Sequence, residues 1–162
     1  MKKSLLIATI LLSIFLSSCS ELGETTPTYT ELISGNHLED DSWGSVSALE
    51  VTEFSIEDML LYAIQDEYSA RTEYEYIMSV FDVETPFTNI LRAEEKHITM
   101  LLPLFETYDI EVPEDTSSDH IIELTTLLST FETGVTAEIL NISMYDLFLE
   151  QNLPDDIRDV FT

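Results

Sequence analysis

An all-α antiparallel bundle is the fold class this sequence predicts, on three observations. Apolar residues recur at the three-to-four residue spacing of one helix face along stretches around Leu60–Phe81, Phe87–Tyr108 and Val135–Glu150. No β-patterned segment is long enough to compete. Each apolar stripe also carries one glutamate, at Glu67, Glu94 and Glu138. A carboxylate inside such a stripe is costly unless a cation or a hydrogen-bonding partner meets it, so the three positions are the natural place to look for chemistry.

The chain opens with Lys2 and Lys3, followed by an apolar run of twelve residues from Leu5 to Leu16, too short to span a bilayer as a mature helix. Residues 1–18 read as a secretory signal peptide. Its last residues, Leu16-Ser17-Ser18-Cys19, resemble the bacterial lipobox. That resemblance implies lipidation of Cys19, which becomes the new N-terminus. It places the protein in the cell envelope, anchored by lipid to a membrane outside the cytoplasm. A structural thiol is the plainer alternative for Cys19. As the only cysteine it leaves the mature chain without a disulfide.

The sequence has 32 acidic and 6 basic residues, and losing Lys2 and Lys3 with the leader takes the formal charge from −26 to −28. This excess argues against nucleic acid or anionic lipid headgroups as electrostatic partners. Most of the acids read as a solvated surface. Residues 19–53, rich in Ser, Thr, Glu and Asp and without sustained period, are expected to form a flexible acidic tether in which Trp43 is the one large aromatic. Residues 54–162 form the helical domain.

Within that domain the first helix opens at Ser55, with Asp58 three residues on as a capping-box variant. Its inward face is Leu60, Ile64, Glu67, Ala70 or Arg71, Tyr74, Met78 and Phe81. Only Asp82–Thr85 separates it from the second helix, so the two must pack antiparallel. Pro86 suits the first turn of that second helix, and Pro103 inside it is expected to kink or shorten it. Its face is Phe87, Ile90, Leu91, Glu94, Ile98, Leu101, Phe105 and Tyr108, with His97 three residues past Glu94 and able to reach the same point. An acidic loop, 109–118, leads to a short helical arm over 119–132. Gly134 is expected to interrupt, and a third long helix runs from Val135 to Glu150, facing inward through Glu138, Asn141 or Ile142, Tyr145 and Phe148 or Leu149. Asp155 and Asp156 mark the N-terminus of a further helix.

Glu67, Glu94 and Glu138 buried together would repel one another until one took up a proton. Two divalent or trivalent ions would satisfy all three, with His97 as a nitrogen ligand. Four-helix carboxylate sites use one Glu from each of two helices and Glu-x-x-His from each of the other two, and Glu67, Glu94/His97 and Glu138 match the first three in order. The plainer readings pair Glu67 or Glu94 with Arg71, bond His97 to a backbone carbonyl, and leave Tyr62, Tyr68, Tyr74 and Tyr145 to fill the core.

The segments Asp66-Glu67-Tyr68-Ser69-Ala70-Arg71, Pro86-Phe87-Thr88-Asn89-Ile90, Ala93-Glu94-Glu95-Lys96-His97 and Gly134-Val135-Thr136-Ala137-Glu138-Ile139 resemble a bacterial ferritin-like family catalogued as a domain of unknown function. The resemblance implies a ferritin-like antiparallel bundle, often exported, with metal ligands at Glu67, Glu94, His97 and Glu138. It carries no settled reaction.

The family pattern asks for a fourth core helix, of which 156–161 supply only the first turns. The expectation is therefore three long helices with the fourth truncated. The alternatives are a homodimer whose second copy completes the bundle, and a degenerate, empty site. The function expected is that of a lipid-anchored protein with a carboxylate-bridged pair of metal ions, iron above others, oxidising ferrous ions or running iron-dependent redox. A non-catalytic, metal-free interaction module on the cell surface is the alternative.

Overall fold

The computed structural model describes residues 43–121 and 123–162. The leader, Cys19 and the first part of the expected tether lie outside the described residues. Among the described residues all regular structure is helical: α1 (Gly44–Glu50), α2 (Ile56–Phe81), α3 (Phe87–Thr107), a 3₁₀ turn (Ser117–His120), α4 (Leu127–Leu149) and α5 (Asp155–Phe161).

The central unit is the α2–α3 hairpin, the most extensive packing in the molecule. α2 starts as its sequence requires. Asp58 N donates to Ser55 Oγ at 3.1 Å and Ser55 N donates to Asp58 Oδ2 at 2.9 Å, a reciprocal capping box. α3 runs through Pro103 to Thr107, so the proline does not end it. The chain leaves α3 through a left-handed Asp109 (φ 54°). Ile110 N reaches back to Phe105 O at 2.9 Å and Asp109 N to Glu106 O at 3.3 Å, which satisfies two orphan carbonyls.

α1 shortens the expected tether. Seven residues carry too little period to be read from sequence, and an isolated helix of that length would not persist. α2 supplies what it lacks. Gly44 N donates to Gln65 Oε1 at 3.3 Å and Ser45 N to Asp66 Oδ1 at 2.9 Å, so the first turn is capped from a neighbouring helix. Trp43 anchors the approach: its Nε1–H lies 2.8 Å from Ser69 Oγ and 3.2 Å from Gln65 O, and its ring stacks on His120 at 4.3 Å. Ser45, Val46, Ser47 and Ala48 are buried, and α1 packs between α2 and α4.

α4 corrects a second expectation. The helix passes through Gly134 without a break, and the arm expected over 119–132 divides into the 3₁₀ turn, an irregular stretch and the first turn of α4. The start signal is a capping box built on Thr126 and Ser129, with Ser129 N donating to Thr126 Oγ1 at 3.1 Å. One glycine removes only about 1 kcal/mol from a helix interior, which packing on α2 overcomes. The inward face is Leu140, Met144 and Phe148, while Ile142 stays 40 % exposed. α5 begins at Asp155 as expected and packs on both α3 and α4. α1 and α5 thus both pack against α4.

The buried side chains form two clusters. One gathers Leu60, Ile64, Ile98, Leu101, Phe105, Met144, Phe148, Ile157 and Phe161; the other gathers Tyr74, Ile77, Phe87, Ile90 and Leu124. Glu67 follows Ile64 and precedes Tyr74 on α2, and Glu94 lies between Ile90 and Ile98 on α3. A polar layer therefore separates the two clusters.

The two glycines of this frame predict opposite responses. Gly44 holds φ +57°, and an added Cβ would meet Asp66 Oδ1 at 3.0 Å and the Asp66 backbone at 3.3 Å, so Gly44→Ala should destabilise by roughly 1–3 kcal/mol. Gly134 sits mid-helix, where a Cβ would meet Tyr74 Oη at an ordinary 3.7 Å. Gly134→Ala should stabilise by about 0.5–1 kcal/mol. Urea unfolding of both variants checks the pair of signs.

Candidate metal centre

Glu67 from α2 and Glu94 and His97 from α3 converge. One ligand atom from each lies within 4.8 Å of the others, and among the described residues no other set of three His, Cys, Asp or Glu side chains is as close. His97 Nδ1 stands 3.0 Å from Glu67 Oε2 and 3.3 Å from Glu94 Oε2. The Glu67 and Glu94 side chains are 1 % and 7 % exposed and the imidazole is 34 % exposed, so His97 forms the solvent-facing side of the site. The third wall is α4, where the Tyr145 hydroxyl donates to Glu67 Oε1 at 2.7 Å.

The spacing follows from helix geometry. Glu94 and His97 are three residues apart on one face, and the antiparallel hairpin brings Glu67 opposite them. Arg71, the cation that sequence spacing offered to Glu67, is committed elsewhere. It forms an ion pair with Asp115 and lies over the Tyr68 ring, 5.3 Å from its centroid. His97 bonds carboxylates rather than a backbone carbonyl.

Charge in the site is uneven. Burial alone would raise Glu67, but the His97 hydrogen bond and charge, the Glu94 carboxyl and the Tyr145 hydroxyl outweigh it and hold Glu67 below the usual carboxylate range. Burial pushes Glu94 up to about 8; His97 pulls against that and the Glu67 charge adds to it. For His97, burial disfavours the cation, yet Glu67 and Glu94 as acceptors lift it to about 10. These shifts favour a charged Glu67 and His97 and a neutral Glu94 near neutrality.

Glu138 stands outside this trio but within its field. Burial, followed by the charges of Glu67 and Asp66, raises its carboxyl to about 7, while the charge of His97 and the neighbouring Tyr74 hydroxyl pull the other way. Two further acids, Asp66 and Glu73, lie off the apolar stripe of α2, on ground that α1 and α4 cover. Asp66 bridges α1 and α4, accepting from Ser45 N at 2.9 Å and from Asn141 Nδ2 at 2.7 Å, and burial raises it. Glu73, two turns along, is raised to about 7 by burial and then by Asp66. Its Oε1 is buried with no hydrogen-bond partner among the described residues.

The donor chemistry fits a first-row divalent or trivalent metal: two carboxylates and one imidazole within a span that ligand bonds of about 2.1 Å could close with small side-chain movements. Three half-buried acids, Asp66, Glu73 and Glu138, add negative charge around these donors. Asp66 is the participant that sequence reasoning sets aside; Tyr145 and Asn141 fall on the inward face of the third long helix without a role in the site. Their only available signal was spacing, since Asn141 and Tyr145 are one turn apart on the inward face of α4.

No family model, curated protein or solved structure matches this chain. Among the described residues no helix is long and apolar enough to cross a membrane.

The titrations predict a direction for stability against pH in the metal-free protein. Glu94, Glu138 and Glu73 have folded values of about 8, 7 and 7, above the ordinary 4.5, so the stability they contribute is present at low pH and lost as pH climbs through those values. His97, raised from 6.5 to about 10, adds a contribution lost between those limits. Glu67, lowered, is the opposing group, and its contribution disappears only on acidification below the ordinary carboxylate range. The urea midpoint of the metal-free chain should therefore be higher at about pH 5.5 than at about pH 9, in salt high enough to screen the surface acids. A flat or rising profile contradicts this protonation pattern.

Proposed function

We propose that this chain is an exported, lipid-anchored protein of ferritin-like type that holds iron at Glu67, Glu94 and His97 and takes part in iron oxidation or iron-dependent redox. The observation that carries the reading is the convergence of those three donors from two helices between the two apolar clusters. Glu138, on the facing helix α4, would be a further ligand if a second ion were held beside the first. Export and anchoring at Cys19 rest on the leader and the lipobox-like sequence.

Iron held there would supply one-electron chemistry toward oxygen or peroxide. The chain's own part is binding and proton handling. Glu94, opposite Glu67 across the α2–α3 hairpin, would be the acid shared by two ions, and hard anionic oxygens favour the ferric state. Glu94 and His97 must give up their protons to become ligands, so binding strengthens as pH rises. The partial exposure of His97 gives ions a route in, while the apolar clusters on either side limit water. The acidic surface raises the local concentration of cations outside.

A second reading has its own support. Every donor group of the trio already has a protein partner: Tyr145 and His97 on Glu67, Glu67 and His97 on Glu94. A self-satisfied layer of this kind also suits a metal-free interaction module on the cell surface.

Metal analysis separates the two. Residues 20–162, purified and loaded with ferrous iron under nitrogen, should retain iron in stoichiometric amount after desalting. Glu94→Ala and Glu94→Gln should lose it. Because burial already keeps Glu94 neutral, Glu94→Gln should leave metal-free stability within about 0.5 kcal/mol, whereas Glu67→Gln should lower it by about 2 kcal/mol through the lost charge-assisted bonds. Wild-type protein that retains no iron, with Glu94→Ala equally stable, would favour the module.

A further inference from the structure

Glu67 has two oxygens, and the structure uses them differently. Oε2 faces His97 at 3.0 Å, on the side shared with Glu94. Oε1 faces away from that side and accepts from Tyr145 Oη at 2.7 Å. The donor is held in place. The Tyr145 ring lies edge-on to Phe148 at 6.2 Å and 86°, and edge-on to Phe161 at 5.2 Å and 61°. Phe148 is on α4 itself and Phe161 comes from α5. Both phenylalanines are buried, so the ring has apolar walls on two sides and its hydroxyl has a fixed direction.

We propose that Tyr145 is a positioning residue for the metal centre: by occupying Glu67 Oε1 it presents Glu67 to a cation through Oε2 alone. The inference rests on the metal reading above and adds to it a residue that need not touch the ion. Its physical content is a restriction. A buried carboxylate without that hydroxyl would leave Oε1 unpaired and the group free to turn, so that neither oxygen is held toward the ion. With the hydroxyl in place, one oxygen is held by the protein and the other is aimed at the point where Glu94 and His97 converge. Groups that orient a ligand in this way typically contribute about 10–100-fold to metal affinity. The arrangement also gives α5 a task. Through Phe161, the last residues described help fix a ligand on α2.

Cobalt(II) tests this, because its visible absorption reports the ligand set as well as occupancy. Residues 20–162 in wild-type and Tyr145→Phe form are titrated with CoCl₂, and thermal unfolding of the metal-free proteins is recorded alongside. The expected result is stoichiometric binding by wild type, about 10–100-fold weaker binding by Tyr145→Phe, and a changed visible band in the variant at saturation. A variant that binds cobalt with wild-type affinity and spectrum, and is merely less stable, overturns the positioning role and leaves the metal reading standing. Wild-type protein that binds no cobalt overturns both. If Tyr145→Phe does not fold, wild-type protein with ¹³Cζ-labelled tyrosine decides. The Tyr145 resonance, assigned through its contacts with the Phe148 and Phe161 rings, should move in step with Zn²⁺ saturation, and an unmoved resonance at full occupancy overturns the proposal.

Discussion

Two carboxylates buried between apolar clusters, with one imidazole to balance them, set the terms for the rest of this structure. Neither Glu67 nor Glu94 can reach bulk water, since their side chains are 1 % and 7 % exposed. Their charge must be met inside the protein, by a proton, by His97 or by a bound cation. That requirement explains why three helices contribute. α2 and α3 bring the acids and the imidazole together, and a hairpin alone would leave one side of Glu67 bare. α4 closes that side with the Tyr145 hydroxyl. A hydrocarbon side chain at that position would close the space but leave Oε1 without a donor.

The short helices follow from the same layer. α1 has no stability of its own, and its first turn is capped by Gln65 and Asp66, the two residues before Glu67. Asp66 also receives Asn141 from α4, so one carboxylate joins three helices beside the site. On the other flank, Arg158 of α5 donates to the carbonyls of Leu149 and Gln151 at 3.2 and 3.1 Å, holding the turn between α4 and α5. That turn brings Phe161 against Tyr145. The parts with the weakest local propensity thus hold the residues that bound the site, and they are ordered by contacts with it.

This division also explains what could be read from the sequence. The long helices announce themselves, because twenty or more residues of period 3.6 and a Ser55–Asp58 box leave little ambiguity. Glu67, Glu94 and His97 are legible for the same reason: a charged residue on an apolar stripe violates the pattern, and such violations gather where function does. Glu138 satisfied that rule equally well, yet its carboxyl stands outside the group formed by Glu67, Glu94 and His97. Periodicity fixes a face but not the height at which two helices cross. α1 was invisible because its caps lie about twenty residues ahead in the chain. Gly134 misled because a propensity worth about 1 kcal/mol was weighed without the packing that overrides it. Asp66 and Glu73 read as solvated because no periodicity in the chain signals that a second side of α2 is covered.

The remaining question is why such a layer is kept at all. As a device for stability it is poor. Replacing buried ion pairs by hydrocarbon of similar volume is often neutral or stabilising by about 1–4 kcal/mol, and this layer is worse than a balanced pair. Asp66, Glu73 and Glu138 crowd the same region with raised affinities for protons, and Glu73 Oε1 is buried without a partner among the described residues. Leucine or methionine at positions 67, 94 and 138 would join the two apolar clusters into one core. A sequence that instead holds several acids near protonation at neutral pH has spent stability on groups ready to exchange protons for a cation. The purely structural reading accounts for the hydrogen bonds within the trio. It does not account for the surplus acid around it, and that surplus is what favours a site built to take up positive charge.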